Sequence, residues 1–142
     1  MRPARQNGQA PPGVTVLGIG LDLVELDRFR LLYGNFDPDV LDRCFTSGEQ
    51  AAVGTGKDRL TRLAARFAAK EAVLKTIGGL RDGIALPDIE IVSDGWSPPV
   101  ARLSGGALAA AQARGITSWQ ISMTHGAHSA AAVALACSTD PR

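Results

Sequence analysis

Apolar residues fall along this chain in short runs whose spacing switches between the strand and helix periods. Residues 14–21 form an apolar run poor in helix formers, which predicts a buried strand. Over residues 25–33, Leu26, Phe29, Arg30 and Tyr33 recur at helical spacing. Thr46-Ser47-Gly48-Glu49 has the spacing of a capping box, so a helix is expected to about Val53, with Gly54 and Gly56 as punctuation. Residues 58–77 make the longest helical pattern, stopped by Gly78-Gly79. Residues 89–92 and 100–103 read as strands around a turn at Asp94-Gly95 with Pro98-Pro99. An Ala-rich helix over 108–114 is closed by Gly115. Residues 117–124 and 129–137 read as two final strands, although the alanines of the second also suit a helix. This order predicts an α+β fold: a mainly antiparallel sheet packed with one long helix, in a single domain over residues 14–142. Residues 1–13, with their prolines and glycines, read as a flexible extension.

Composition narrows the class. A length of 142 residues, 45% hydrophobic and 20% charged, suits one domain with a true core and excludes disordered or collagen-like chains. Fifteen basic against 14 acidic side chains give a net charge of +1, so nothing global favours nucleic acid or an anionic membrane. Aromatics at 5% argue against a base-stacking platform. Cys44 and Cys137 are too far apart in sequence for a disulfide framework or zinc spacing, which suits a reducing cytosol. Arg2 and Arg5 have no apolar run behind them, so no targeting segment is expected. The apolar stretch 130–137 is far shorter than the roughly 20 residues of a membrane helix. A soluble, cytoplasmic protein is expected.

Three positions are candidates for chemistry. If residues 14–22 are extended, Val16, Gly18, Gly20 and Asp22 share a face, and the two glycines leave an empty lane leading to a carboxylate. Strand glycines mark close approach by a ligand or by another backbone. From these residues alone Asp22 better suits the cap of the following helix, with Glu25 completing an acidic capping box. On the long helix, Leu60, Ala64, Phe67, Glu71 and Lys75 share a stripe that is apolar except for its last two members. A carboxylate on such a stripe is paired, protonated or bound to a cation; an ordinary Glu71–Lys75 pair is the simpler alternative. Ser122-Met123-Thr124-His125 ends a strand, where a histidine is either structural or catalytic. Ser122 lacks a nucleophile elbow, and no third member completes a triad. Gly18-Ile19-Gly20 is no dinucleotide fingerprint, because Leu23 stands where a small residue is needed, and no P-loop is present.

Taken together the motifs carry a resemblance. Gly18-Ile19-Gly20-Leu21-Asp22-Leu23-Val24-Glu25-Leu26-Asp27-Arg28-Phe29 resembles the opening motif of the holo-acyl-carrier-protein synthases, which are small phosphopantetheinyl transferases. Phe45-Thr46-Ser47-Gly48-Glu49 is similar to their Phe-Thr-x-x-Glu helix start. Arg66-Phe67-Ala68-Ala69-Lys70-Glu71-Ala72, with Lys75 and Gly78, resembles their signature helix. Asp88-Ile89-Glu90-Ile91 and Ser122-Met123-Thr124-His125 match later strands in order. The resemblance spans about residues 17–133. It departs after His125, where Gly126-Ala127-His128-Ser129 replaces the usual polar residues, and at the turn bearing Trp96.

The resemblance implies transfer of 4′-phosphopantetheine from coenzyme A to a serine of apo acyl carrier protein, with adenosine 3′,5′-bisphosphate released, in fatty acid biosynthesis. It implies Mg2+ held by Asp22 and Glu71, which suits a hard cation that takes one or two carboxylates. Glu71, or better a metal-bound water that it holds, would be the base. Lys75 and Lys70 would neutralise phosphate oxygens, and Arg66 and His125 would meet the remaining phosphates of coenzyme A. Arg28, with Arg30 and Arg43 nearby, would dock an acidic carrier. A homotrimer with sites shared between subunits is implied. The competing readings are a non-catalytic carrier- or nucleotide-binding protein of this fold and a small thioesterase, which would have no use for paired magnesium ligands.

Overall fold

Alanines dominate the last strand because a helix lies directly upon it. The computed structural model describes residues 13–139, so the expected extension lies outside the described residues apart from Gly13. Five strands and five helices follow in the order β1 (Val14–Glu25), α1 (Leu26–Tyr33), α2 (Pro38–Leu41), α3 (Ser47–Val53), α4 (Arg59–Thr76), β2 (Ile89–Val92), β3 (Val100–Leu103), α5 (Gly105–Ala113), β4 (Ser118–His125) and β5 (Ser129–Thr139). The three-stranded sheet has the order β1-β5-β4, and β2 pairs with β3 in a second sheet; every pairing is antiparallel. Thus the α+β expectation holds.

Helix α4 crosses β1 and β5. Ala130, Ala132, Ala134 and Ala136 of β5 are buried, as are Ala68, Ala69 and Ala72 of α4. Small side chains on both surfaces let the helix sit low, which overrides alanine's weak preference for strands. Where β1 meets α4 even a methyl group is too large. A Cβ on Gly20 would run into the carbonyl group of Ala72. The glycine lane therefore admits a neighbouring backbone at Gly20, not a ligand.

Strand β1 corrects the sequence reading twice. It continues to Glu25, with Asp22 opposite Ala132 and Glu25 opposite Ser129 on β5. Asp22 therefore lies within a strand and caps nothing; the cap position of α1 is Glu25, which makes no side-chain capping bond. Nor is the strand buried on both faces. Ile19, Leu21 and Leu23 alternate with the α4-facing residues and are 67%, 64% and 63% exposed.

Elsewhere local signals and structure agree. Thr46 and Glu49 form the reciprocal capping box at the start of α3. Gly78 and Gly79 both take positive φ after α4, the left-handed region that favours glycine. The β2–β3 turn is set by Asp94, whose carboxylate accepts from the backbone N–H groups of Trp96 (2.8 Å) and Ser97 (2.7 Å), leaving the Trp96 ring 95% exposed. The second tryptophan, Trp119, is half-buried, and its indole donates to Thr76 Oγ1 at the end of α4 (2.9 Å). Helix α2 was not expected; Asp37 caps it and Pro38 opens it. Cys44 and Cys137 are buried free thiols. Among the described residues no helix is long and apolar enough to cross a membrane.

Candidate active site

The end of β1, helix α1 and the middle of α4 enclose a cleft of about 340 Å³, within the range of small-ligand sites. Alternation along β1 turns Asp22 towards α4, and the stripe on α4 presents Phe67 and Glu71 one turn apart. Asp22 and Glu71 line one part of the cleft, and Phe29, Leu32, Tyr33 and Phe67 supply an apolar part. Arg28, exposed on α1, lines it too.

The two carboxylates sense one another. Half-burial raises the pKa of Glu71 above its ordinary value, the negative charge of Asp22 raises it further, and Lys75 acts in the opposite direction. The alternative of an ordinary Glu71–Lys75 pair is not what forms. Lys75 Nζ instead donates to the Leu21 carbonyl (2.6 Å) and approaches Asp22 Oδ1 at 3.4 Å. Among the described residues Glu71 has no cationic partner within ion-pair distance.

Two hard carboxylates with no third acidic, histidine or cysteine ligand grouped beside them, among the described residues, make no closed zinc site. They suit magnesium, which takes one or two protein carboxylates and completes its shell with water and phosphate oxygens.

The structure divides the other expected site residues. Asp22, Glu71, Lys75 and Arg28 come together. Lys70 does not, and its expected phosphate role is corrected: it is fully buried, donating to Glu49 Oε1 (2.6 Å) and to the Ile89 carbonyl (2.5 Å). Burial lowers its pKa, and the facing Glu49 carboxylate opposes that shift. The other oxygen of Glu49 accepts from the Ile91 N–H (3.0 Å), so this pair ties α3, α4 and β2 together. Arg66 is likewise buried and outside the cleft, with Nη1 near the Arg62 carbonyl (3.5 Å) and Nε without a partner. Burial lowers its pKa, Glu49 counters and Arg62 adds to the lowering. His125 is exposed at the end of β4, opposite Ala130, which in turn faces Val24. Two strand spacings, about 10 Å, separate it from β1. It does not line the cleft of its own chain.

Tyr33 is among the lining residues to which the sequence alone assigns no role. Its signal was present: Phe29 and Tyr33 stand four apart on α1, as an aromatic pair facing one way should.

The family model of the 4′-phosphopantetheinyl transferase superfamily matches residues 18–136. A holo-[acyl-carrier-protein] synthase of Solidesulfovibrio magneticus is 44% identical over 119 residues, covering 83% of this chain and 95% of that one. Among solved structures, the holo-ACP-synthase of Plasmodium yoelii superposes with a TM-score of 0.75 at 29% identity, covering 90% of this chain and 99% of that one. The Helicobacter pylori holo-[acyl-carrier-protein] synthase in complex with coenzyme A gives a TM-score of 0.71 at 28% identity, covering 84% and 99%.

Proposed function

The chain belongs to the 4′-phosphopantetheinyl transferase superfamily and transfers the 4′-phosphopantetheine arm of coenzyme A to apo acyl carrier protein, and we propose that it does so at the Asp22–Glu71 cleft. The observation that carries this placement is the meeting of those two carboxylates beside an apolar wall. In the transfer the carrier serine Oγ forms a new bond to the phosphorus that bears the pantetheine. The bridging P–O bond breaks, and its electron pair leaves on the adenosine phosphate. Orientation and charge neutralisation dominate the barrier of such a step.

Asp22 and Glu71 would hold Mg2+, which when bound supplies positive charge to the pyrophosphate and to the leaving phosphate. Glu71, or better a water that it holds, would take the serine proton. The ammonium of Lys75, more than half exposed beside Asp22, is available to phosphate oxygens. Arg28 would steer an acidic carrier to the cleft.

The outward row of Ile19, Leu21 and Leu23 supports assembly. It is a contiguous apolar surface flanked by the half-buried Val133 and Leu135 of β5, and a second copy of the chain is the occupant we assign to it, within a homotrimer. His125, at the free edge of β4, is then the one of the three displaced residues open to a neighbouring subunit's site. We infer a cytoplasmic enzyme of fatty acid biosynthesis, a reading that the free thiols of Cys44 and Cys137 support.

Intact-mass measurement of apo carrier after incubation with coenzyme A and magnesium tests the placement. The wild type should add one phosphopantetheine, whereas Asp22→Asn and Glu71→Gln should each slow that gain by at least about 100-fold. Undiminished transfer by both variants at limiting magnesium would remove the reaction from this cleft.

A further inference from the structure

At its apolar end the cleft is closed by one residue held from behind. The Tyr33 ring packs tilted against Phe29 (centroids 4.5 Å apart, planes at 36°), lies 5.9 Å from Phe67 and meets Phe45 edge-on at 6.4 Å. Its hydroxyl lies 3.4 Å from the sulfur of Cys44, a side chain that is itself buried. Burial, and then the contact with Cys44, hold the phenol in its neutral form. The ring is thus fixed on both sides, by aromatic packing and by a polar contact that lies outside the cleft lining.

The open side of the cleft indicates what approaches it. Arg28, Leu31 and Leu32 stand at i, i+3 and i+4 on α1 and are all exposed, Leu31 by 86% and Leu32 by 64%. An incoming surface that is both acidic and apolar fits that face. A serine brought to Glu71 over it carries neighbouring side chains into the Phe29–Tyr33–Phe67 end.

We propose that Tyr33, pinned by Cys44, is a specificity-determining residue: given that transfer takes place in this cleft, it sets how large an apolar side chain of the acceptor is admitted beside the reacting serine. Removing the ring deepens the cleft. Removing only the hydroxyl, or only the sulfur, loosens the ring without deleting it.

The test uses acyl carrier proteins whose apolar residue nearest the serine is Ala, Leu or Phe, with kcat/KM measured for each. Wild-type enzyme should discriminate among them. Tyr33→Ala should move the Phe-to-Leu preference towards Phe by about tenfold or more, the size of effect one missing group has in an apolar pocket. The Michaelis constant for coenzyme A should stay near the wild-type value. Tyr33→Phe and Cys44→Ala should each move the preference the same way by about threefold, as loss of one hydrogen bond does. The double variant should go no further, and Cys44→Ser, which keeps a partner for the phenol, should behave as wild type. These milder variants carry the test if Tyr33→Ala does not fold. An enzyme that discriminates while every Tyr33 and Cys44 variant keeps its preference overturns the assignment alone. A change in the coenzyme A constant in place of the carrier preference overturns it too, because the apolar end then holds the pantetheine arm. A wild type blind to all three carriers overturns it together with the docking of the carrier in this cleft.

Discussion

Gly20 and the carbonyl group of Ala72 occupy neighbouring space with no room for a side chain between them. Two residues earlier on the same face, Gly18 has no neighbour within 4 Å of where a Cβ would stand. This pair of glycines therefore separates backbone contact from mere smallness.

Gly20→Ala should destabilise the fold by about 1–3 kcal/mol, as overpacking does, because a helix and a strand must part to admit it. Gly18→Ala should be close to neutral, within about 0.5 kcal/mol. Urea denaturation of the two variants measures the difference, and equal midpoints would contradict the contact.

Lys70 and Glu49 should behave as structure and not as catalysis. Lys70→Met leaves a buried carboxylate without its cation and should cost about 3–5 kcal/mol. Adding Glu49→Gln should recover part of that loss, since the residual charge goes with it. Whatever fraction of Lys70→Met remains folded should keep the wild-type Michaelis constant for coenzyme A. A selective rise in that constant at unchanged stability would return Lys70 to the phosphate site.

The raised pKa of Glu71 carries a sign. Its contribution to stability is fully present below the ordinary glutamate value of 4.5 and is lost as pH rises through the raised folded-state value. Metal-free wild type should therefore lose stability relative to Glu71→Gln across that window. Asp22→Asn removes the repelling charge and should shrink the loss. The experiment is a series of urea midpoints in EDTA from pH 4.5 to neutrality; parallel curves for wild type and Glu71→Gln would show that the Glu71 pKa is not raised, and an Asp22→Asn curve that matches wild type would show that the two carboxylates do not communicate.

Leu21→Lys places a charge in the middle of the exposed apolar row on β1. Because the side chain points away from α4, the folded chain should tolerate it, whereas a trimer that buries this row should not. Sedimentation should find monomers for the variant and trimers for the wild type. A wild type that sediments as an active monomer would end the assembly proposal.

Much of this architecture was legible from local rules. The β2–β3 hairpin, the Thr46–Glu49 box and the Gly78-Gly79 stop each depend on residues close together in sequence, and each lies where expected. Asp22 was ambiguous because a cap and a strand carboxylate look alike until β5 is present to pair with it. The exposed face of β1 was misread for a related reason: aliphatic residues alternating on both faces of a strand look the same whether protein covers both faces or only one. Lys70 was decidable. Leu63, Val73, Leu74 and Ile77, at −7, +3, +4 and +7, are all buried, so helical phase alone placed its stem in the core. What phase could not give was the partner, because Glu49 arrives from a helix some twenty residues away. The site was legible as residue types and, for Lys70, as core against cleft; the partner of each side chain required the fold.

The two tryptophans differ so sharply in surroundings that the protein carries its own optical reporters. Trp96, on a turn tip held by Asp94, already sees water, so its emission should lie at long wavelength and scarcely move when the chain unfolds. Trp119, bonded to Thr76 where α4 ends, should emit at shorter wavelength and shift as soon as that helix leaves the sheet. A Trp96→Phe protein would then follow the seating of α4, the helix that bears Glu71, by fluorescence alone and without an added dye.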